Sequence, residues 1–306
     1  MDSDPAPFAG NPLVQRLTRL DMMTRTEALN QAWPGGIATH QIRGIEDAIQ
    51  LGSTCRQYWF RGHSQIFESL TPAVHRAPFY SARENIEFWA GQRFRLRARS
   101  FTSRVPDWGD HLLWLLMMQH HGVPTRLLDW TASILVALYF AAADPIDEPG
   151  EVWCMNPSQL NRHGGYKLCG PDDPPIRYLA AEVFLEPKRL PTLAEHLGLE
   201  RQLTTPLALI PPFEFPRMAA QMSRFTIHAL SDATSMIEFL VRGEEHLVRY
   251  TVPAASKATL RKVLSSLGVS HETLFHNLES LARTIREEIL EEDYDLEMPP
   301  RFEAES

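Results

Sequence analysis

The sequence predicts an α+β fold, because its helical and strand-like stretches come in separate groups instead of alternating as βαβ units. Two further observations support this. Thr131–Ala143 is apolar nearly all round, which marks a helix buried in the core. A hydrophobic fraction of 44% in a chain of 306 residues is enough to build that core.

Taken in order, residues 1–36 read as an N-terminal extension, with a helical pattern over Val14–Leu29 and a break at Trp33-Pro34-Gly35-Gly36. Ile45–Leu51 reads as a short amphipathic helix, and the aromatic run Gln57–Gly62 as a strand. Ser81–Phe101 and Asp107–His120 read as helices, the second opened by Asp107 or Asp110 and closed by Gly122 and Pro124. Thr125–Thr131 reads as a loop leading into the buried helix, followed by a strand at Glu151–Met155. Asn156–Pro216 is rich in loops around one or two short helices. Phe225–Ala229, Met236–Leu240 and His246–Val252 read as strands, Ser256–Leu267 and Glu272–Glu291 as helices. The domain organisation expected is an extension over 1–36, one domain over 37–285, and an acidic tail over 286–306.

The formal net charge of -8 argues against a generally basic, nucleic-acid-coating surface, though a local basic pocket remains open. Arg93, Arg95, Arg97 and Arg99 form a dense basic stretch, but alternate spacing scatters them around a helix, so a solvated face is expected rather than a nucleic-acid stripe. The cysteines, Cys55, Cys154 and Cys169, form no CxxC pair, which fits a reducing cytoplasm without a disulfide framework. No apolar run approaches the roughly 18 residues of a membrane span, and no leader pattern is evident. A cytoplasmic protein without membrane contact is the expectation.

Three stretches carry a family likeness. They are Tyr58–His63 with Leu70-Thr71-Pro72 and Arg76, then His120–Thr131 running into Ala137–Ala141, then Pro216–Gln221 followed by Phe225-Thr226. Together with Leu274–Ala282 they resemble the FRG-domain family of bacteria and phages over about residues 37–285. Ser223 departs from the pattern, standing where such proteins generally carry a glycine. The order of the motifs also resembles the ADP-ribosyltransferases of the Arg–Ser–Glu type. That second resemblance implies a mostly antiparallel, split central sheet flanked by helices, with an ADP-ribosyltransferase-like core. It further implies NAD as a co-substrate, no tightly bound cofactor, and ADP-ribosyl transfer or NAD hydrolysis, with bacterial defence against phages as a setting. Arg61-Gly62 would match the first element, Asp129-Trp130-Thr131 the second, and Gln221 the third.

The residues can be weighed on their own chemistry. Arg61 ends an apolar strand before Gly62, and its planar fork suits a pyrophosphate; the alternative is a pairing with Asp129 that holds the fold. Thr125, Arg126, Asp129 and Thr131 crowd polar groups among Leu127, Leu128 and Trp130, as either a ligand site or a structural network. Asp129 is the carboxylate best placed for catalysis. His120 and His121 lack any HxxxH or HExxH spacing, so a metal is not expected; His121 is assigned to a polar pocket or a helix cap. In the transferases a glutamate occupies the position of Gln221, so either Asp129 supplies the missing charge or the protein binds a nucleotide without turning it over. The candidate set is therefore Arg61, Asp129 and Gln221 as catalytic residues. Gly62, His121, Thr125, Arg126, Thr131 and Arg217 are the binding residues, for a nucleotide-type small molecule. A protein or nucleic acid is the expected further target. The competing reading is a non-catalytic nucleotide or nucleic-acid sensor.

Overall fold

The computed structural model describes residues 39–67, 70–76, 79, 86–199, 203, 205–229 and 247–290. The helical pattern at Val14–Leu29, the strand expected at Met236–Leu240, and the end of the acidic tail lie outside them. The chain runs through β1 (Thr39–Gln41), α1 (Ile45–Thr54), β2 (Trp59–His63), α2 (Ile86–Ala98), α3 (His111–His120), β3 (Leu127–Thr131), α4 (Ile134–Ala141) and β4 (Gly150–Met155). It continues through α5 (Pro157–His163), α6 (Pro174–Ala181), α7 (Leu190–His196), β5 (Leu207–Leu209), α8 (Pro216–Ala220), β6 (Ser223–Ile227) and β7 (Leu247–Val252). Three helices close the described chain, α9 (Ala254–Ser266), α10 (His271–Phe275) and α11 (Leu278–Leu290).

The strands form one open sheet of 7 in the order β1-β7-β4-β2-β3-β6-β5, flanked by helices. Among the strand pairings of the described residues, β1–β7 is the parallel one and the others are antiparallel. The centre of the sheet is its thinnest point. β2 pairs with β4 from Trp59 to His63, and β3 pairs with β6 from Leu127 to Thr131, but β2 meets β3 only at Phe60↔Thr131. Two half-sheets therefore diverge from one shared pairing and leave a seam between them.

Alternation along the strands explains how the helices divide. Phe60, Val152, Cys154 and Val252 face α1, α4 and α9 and share a core with Ala137, Leu138 and Leu264. Leu127, Leu207, Leu209, Phe225 and Ile227 face α3 and α6, around Trp114, Leu115 and Leu179. The opposite face of the sheet is a continuous apolar layer containing Trp59, Trp130 and Trp153. Gly62 is fixed by packing, since a Cβ there would stand 1.8 Å from the Ala137 carbonyl oxygen of α4. Any side chain would push α4 off β2, so this glycine serves the fold rather than a ligand's approach.

Several expectations change here. Thr125–Thr131 is not a loop, because Leu127–Thr131 is a strand paired along its length with β6. Asp129 disguises it: the strand is buried except at that position. The buried helix is shorter, Ile134–Ala141, opened by Ser133 Oγ accepting from the Val136 amide, and its Leu135, Tyr139 and Phe140 are only partly buried. Tyr139 and Phe140 instead reach toward α10, where Phe140 meets Phe275 at 6.2 Å. The single helix expected over Glu272–Glu291 is two. His276 adopts the left-handed φ of 50° that ends α10, and the Asn277 side chain accepts from the Ser280 amide at 2.8 Å to open α11.

Arg126 joins α2 and α6 to the start of β3. Its amide and Nε donate to the two oxygens of Glu87, both at 2.7 Å, and Nη1 donates to Glu182 Oε2 at 2.7 Å. Arg126 and Glu87 are 1% and 3% exposed. Burial alone would lower the Arg126 pKa, but the two carboxylates outweigh it and hold the pKa above its ordinary value. Burial raises the Glu182 pKa despite Arg126, partly because Glu87 stands close. Glu87 is the more deeply buried acid and takes two of the bonds, while Glu182, its side chain 11% exposed, takes one. Glu87→Gln should therefore cost about 3–5 kcal/mol, the scale for breaking a buried pair, and Glu182→Gln clearly less. Urea denaturation of the two variants checks the order.

Candidate functional site

The seam between β2 and β3 is bridged by a side chain. Arg61 Nη1 donates to the Asp129 carbonyl at 2.5 Å and lies 3.7 Å from Asp129 Oδ2. Its Nε donates to His63 Nε2 at 2.8 Å. Because an arginine Nε can only donate, His63 Nε2 must accept, which places the imidazole proton on Nδ1. Nδ1 then donates to Glu151 Oε1, with 2.8 Å between the two atoms. Glu151 is wholly buried at the start of β4 and also accepts from the Phe67 amide at 3.1 Å. Burial, then the Arg61 charge, pushes the His63 pKa down to about 4 against the pull of Glu151. His63 is thus a neutral spacer between a buried carboxylate and a guanidinium. Burial also lowers the Arg61 pKa, with Asp129 opposing it.

On the helix-covered face, Asp129 stands in the gap between the two helical groups. Its side chain is 56% exposed and its Oδ2 accepts from Gln119 Nε2 of α3 at 2.7 Å. Gln119 Oε1 in turn accepts from the buried Thr125 hydroxyl. Asp129 lines a shallow, open recess that encloses only about 30 Å³, together with Gln119, His120, Arg217, Gln221 and Ser223, over an apolar floor of Leu116, Met218 and Phe225. Arg217 rests on the Phe275 ring at 4.4 Å, and burial lowers its pKa while Asp129 opposes the shift. His120 stacks on Phe215 with ring centroids 4.5 Å apart, and burial, His121 and Arg217 all lower its pKa.

The structure thus brings Arg61, Asp129, Gln221 and Arg217 into one neighbourhood, with Arg61 behind Asp129 rather than in the lining of the recess. Gln221 donates to the Leu274 carbonyl at 3.3 Å, and its own carbonyl accepts from the Thr131 hydroxyl at 2.7 Å. Thr131 is mostly buried and also accepts from the Ser133 amide, so it joins β3, α4 and the end of α8. Thr125 acts through Gln119. Arg126 lies in its own buried cluster with Glu87 and Glu182, away from the recess, and Gly62 faces α4. His121 is exposed, against Phe94 at 6.3 Å, while its neighbour His120 lines the recess. Ser223 sits in extended strand opposite Thr131; the left-handed residue is the preceding Met222, at φ 46°.

Sequence reasoning passed over Gln119 and Glu151 as site residues. Gln119 had a legible signal, since it is the first uncharged polar side chain after the apolar run Leu112–Met118. His63 and Glu151 are 88 residues apart, and only the β2–β4 register brings them together. Among the described residues no three His, Cys, Asp or Glu side chains gather as a metal site would require, and no helix is long and apolar enough to cross a membrane.

Residues 56–149 match the family model of the FRG domain. The match runs from just before β2 to just before β4 and contains Arg61, Gln119 and Asp129; Arg217 and Gln221 lie beyond it. No curated protein and no solved structure matches the chain.

The neutral His63 gives a pH signature. An unfolded histidine takes its proton near pH 6.5, whereas folded His63 does so at about 4. The unfolded state binds more protons between those values. Its stabilising share is therefore complete above about pH 6.5 and lost as the pH falls toward 4, about 3 kcal/mol at most. His111 is also pushed down to about 4 and adds a parallel loss. Urea denaturation at pH 7 and 4.5 should therefore show a smaller acid loss in His63→Gln than in the parent chain.

Proposed function

We propose that this chain handles NAD, binding it over the recess beside the sheet seam and breaking the bond between nicotinamide and ribose. The observation that carries this reading is the Asp129 carboxylate. It is accessible in the recess, oriented by Gln119 at 2.7 Å, and backed by Arg61 at 3.7 Å. When the C1′–N bond breaks, its electron pair leaves with nicotinamide and positive charge develops on the ribose. A carboxylate held close to that carbon stabilises the charge. Water or an acceptor nucleophile then forms the new bond to C1′ and yields a proton.

The arginines divide the remaining work. Arg61 is committed to Asp129 and His63, so it holds the strand carbonyl of Asp129 and stands 3.7 Å from its carboxylate. Arg217, half-buried at the rim and without a carboxylate partner at salt-bridge distance among the described residues, suits the pyrophosphate. Gln221 offers hydrogen bonds to a ribose hydroxyl but no charge. That last feature favours a second reading, a sensor that holds the nucleotide without cleaving it.

Nicotinamide release from NAD, followed by chromatography, separates the two. Under the enzyme reading Asp129→Asn cuts release by about 10²–10³-fold, the scale for removing one transition-state charge contact. The exposed side chain leaves the melting temperature within a few degrees. Gln221→Glu raises release. ADP-ribose binding by a parent chain that releases no nicotinamide supports the sensor.

A further inference from the structure

The dense basic stretch that the sequence scatters around a helix is sorted by the fold. Arg95 turns inward, 2% exposed, donating to the Trp108 carbonyl with its guanidinium 3.8 Å from the Trp108 ring and 4.8 Å from Phe184. It is not part of a solvated face, because these rings and that carbonyl enclose it. Its withdrawal leaves the other arginines outside. Arg93 and Arg97 stand one helical turn apart on the outer side of α2, and Trp89 and Leu96 lie on the same stripe at 57% and 71% exposure. In the turn after α2, Phe101 is 87% exposed and Arg104 is exposed.

Three features of this surface point the same way. Among the described residues none of Arg93, Arg97, Arg99 and Arg104 makes an ion pair. No Asp or Glu occurs anywhere from Phe88 to Pro106, in a chain whose net charge is -8. The only acid in α2, Glu87, is consumed by Arg126 in the interior. Among the described residues this positive strip carries no compensating charge, and large exposed rings alternate with its cations along the sequence.

We propose that this stripe of α2 and the turn after it binds a single-stranded nucleic acid, at a surface separate from the Asp129 recess. The arginines neutralise phosphates, and Trp89 and Phe101 offer faces on which unpaired bases stack. From Trp89 to Arg97 the helix rises about 12 Å, so the strip accommodates only a few nucleotides. A duplex hides the faces that the rings need. A planar anionic bilayer fits less well, because the exposed Asp107 and Asp110 stand at the end of the strip and would be pressed against it, whereas a flexible strand passes beside them.

The test is fluorescence anisotropy of the full chain with labelled 20-nucleotide oligo(dT) and oligo(U), each single-stranded and as duplex. Four phosphate contacts on a single strand give a log–log salt slope of about -2.8, so raising salt from 50 to 200 mM should weaken binding about 50-fold. Arg93→Ala/Arg97→Ala/Arg104→Ala should flatten that slope and lose at least tenfold in affinity at low salt. Trp89→Ala/Phe101→Ala should weaken the single strand while leaving any duplex binding unchanged. All these side chains are exposed, so circular dichroism melts should match the parent. Asp129→Asn should bind the oligonucleotide as the parent does, which keeps this result independent of any NAD activity. Absence of oligonucleotide binding overturns the proposal, as does binding that ignores both sets of substitutions. Capture by phosphatidylserine vesicles, or self-association abolished by Leu96→Asp, in place of oligonucleotide binding would overturn it too.

Discussion

A sheet held together at its centre by one strand pairing needs something else to close the gap, and in this chain Arg61 does so. Phe60↔Thr131 is where β2 meets β3, and beyond it the Arg61 guanidinium spans to the Asp129 carbonyl. A hydrogen bond of this kind is stronger for being charged, and its donor is itself held. Glu151 fixes the tautomer of His63, His63 accepts from Arg61 Nε, and Arg61 fixes Asp129. Because Glu151 is buried, the chain is anchored in the core rather than at the surface. The same contacts that join the half-sheets therefore place a carboxylate at the bottom of the gap between two groups of helices. Stability and site geometry are coupled through one side chain.

How much of this was legible depended on sequence distance. The helix at Ile134–Ala141 and the strand at Gly150–Met155 announce themselves by unbroken apolar content, and both stand close to where the sequence puts them. β1 and β5, of 3 residues each, are too short for a period to show. β3 was hidden because polar residues bracket it and Asp129 interrupts it, although tertiary contacts on both faces make it a strand. Arg61, Asp129 and Gln221 could be singled out as polar groups against apolar runs, and the fold does gather them. Arg126 has the same local signature but a different fate. Its partners Glu87 and Glu182 lie 39 and 56 residues away, and no local pattern tells a buried ion cluster from a ligand site.

The contrast between Arg61, Arg95 and Arg126 shows why residue type alone misleads. Arg126 is matched by two buried acids, Arg95 by aromatic rings and a carbonyl, and Arg61 by one carbonyl, one neutral imidazole and an exposed carboxylate. Only the last has a carboxylate partner that is mainly exposed, at 56%. A ligand ribose over the recess would therefore meet Asp129 with its geometry already set, and preorganisation of that kind is what makes a single carboxylate effective.

The central claim is that Arg61 both closes the seam and prepares Asp129 for a nucleotide, and thermal melting of Arg61→Lys with and without ADP-ribose tests it most directly. A lysine keeps the charge but cannot serve the Asp129 carbonyl and His63 Nε2 together. The expected result is a melting temperature several degrees below that of the parent chain, with the stabilisation that ADP-ribose gives the parent lost in the variant. A variant that melts with the parent and gains the same stabilisation from ADP-ribose would contradict the account.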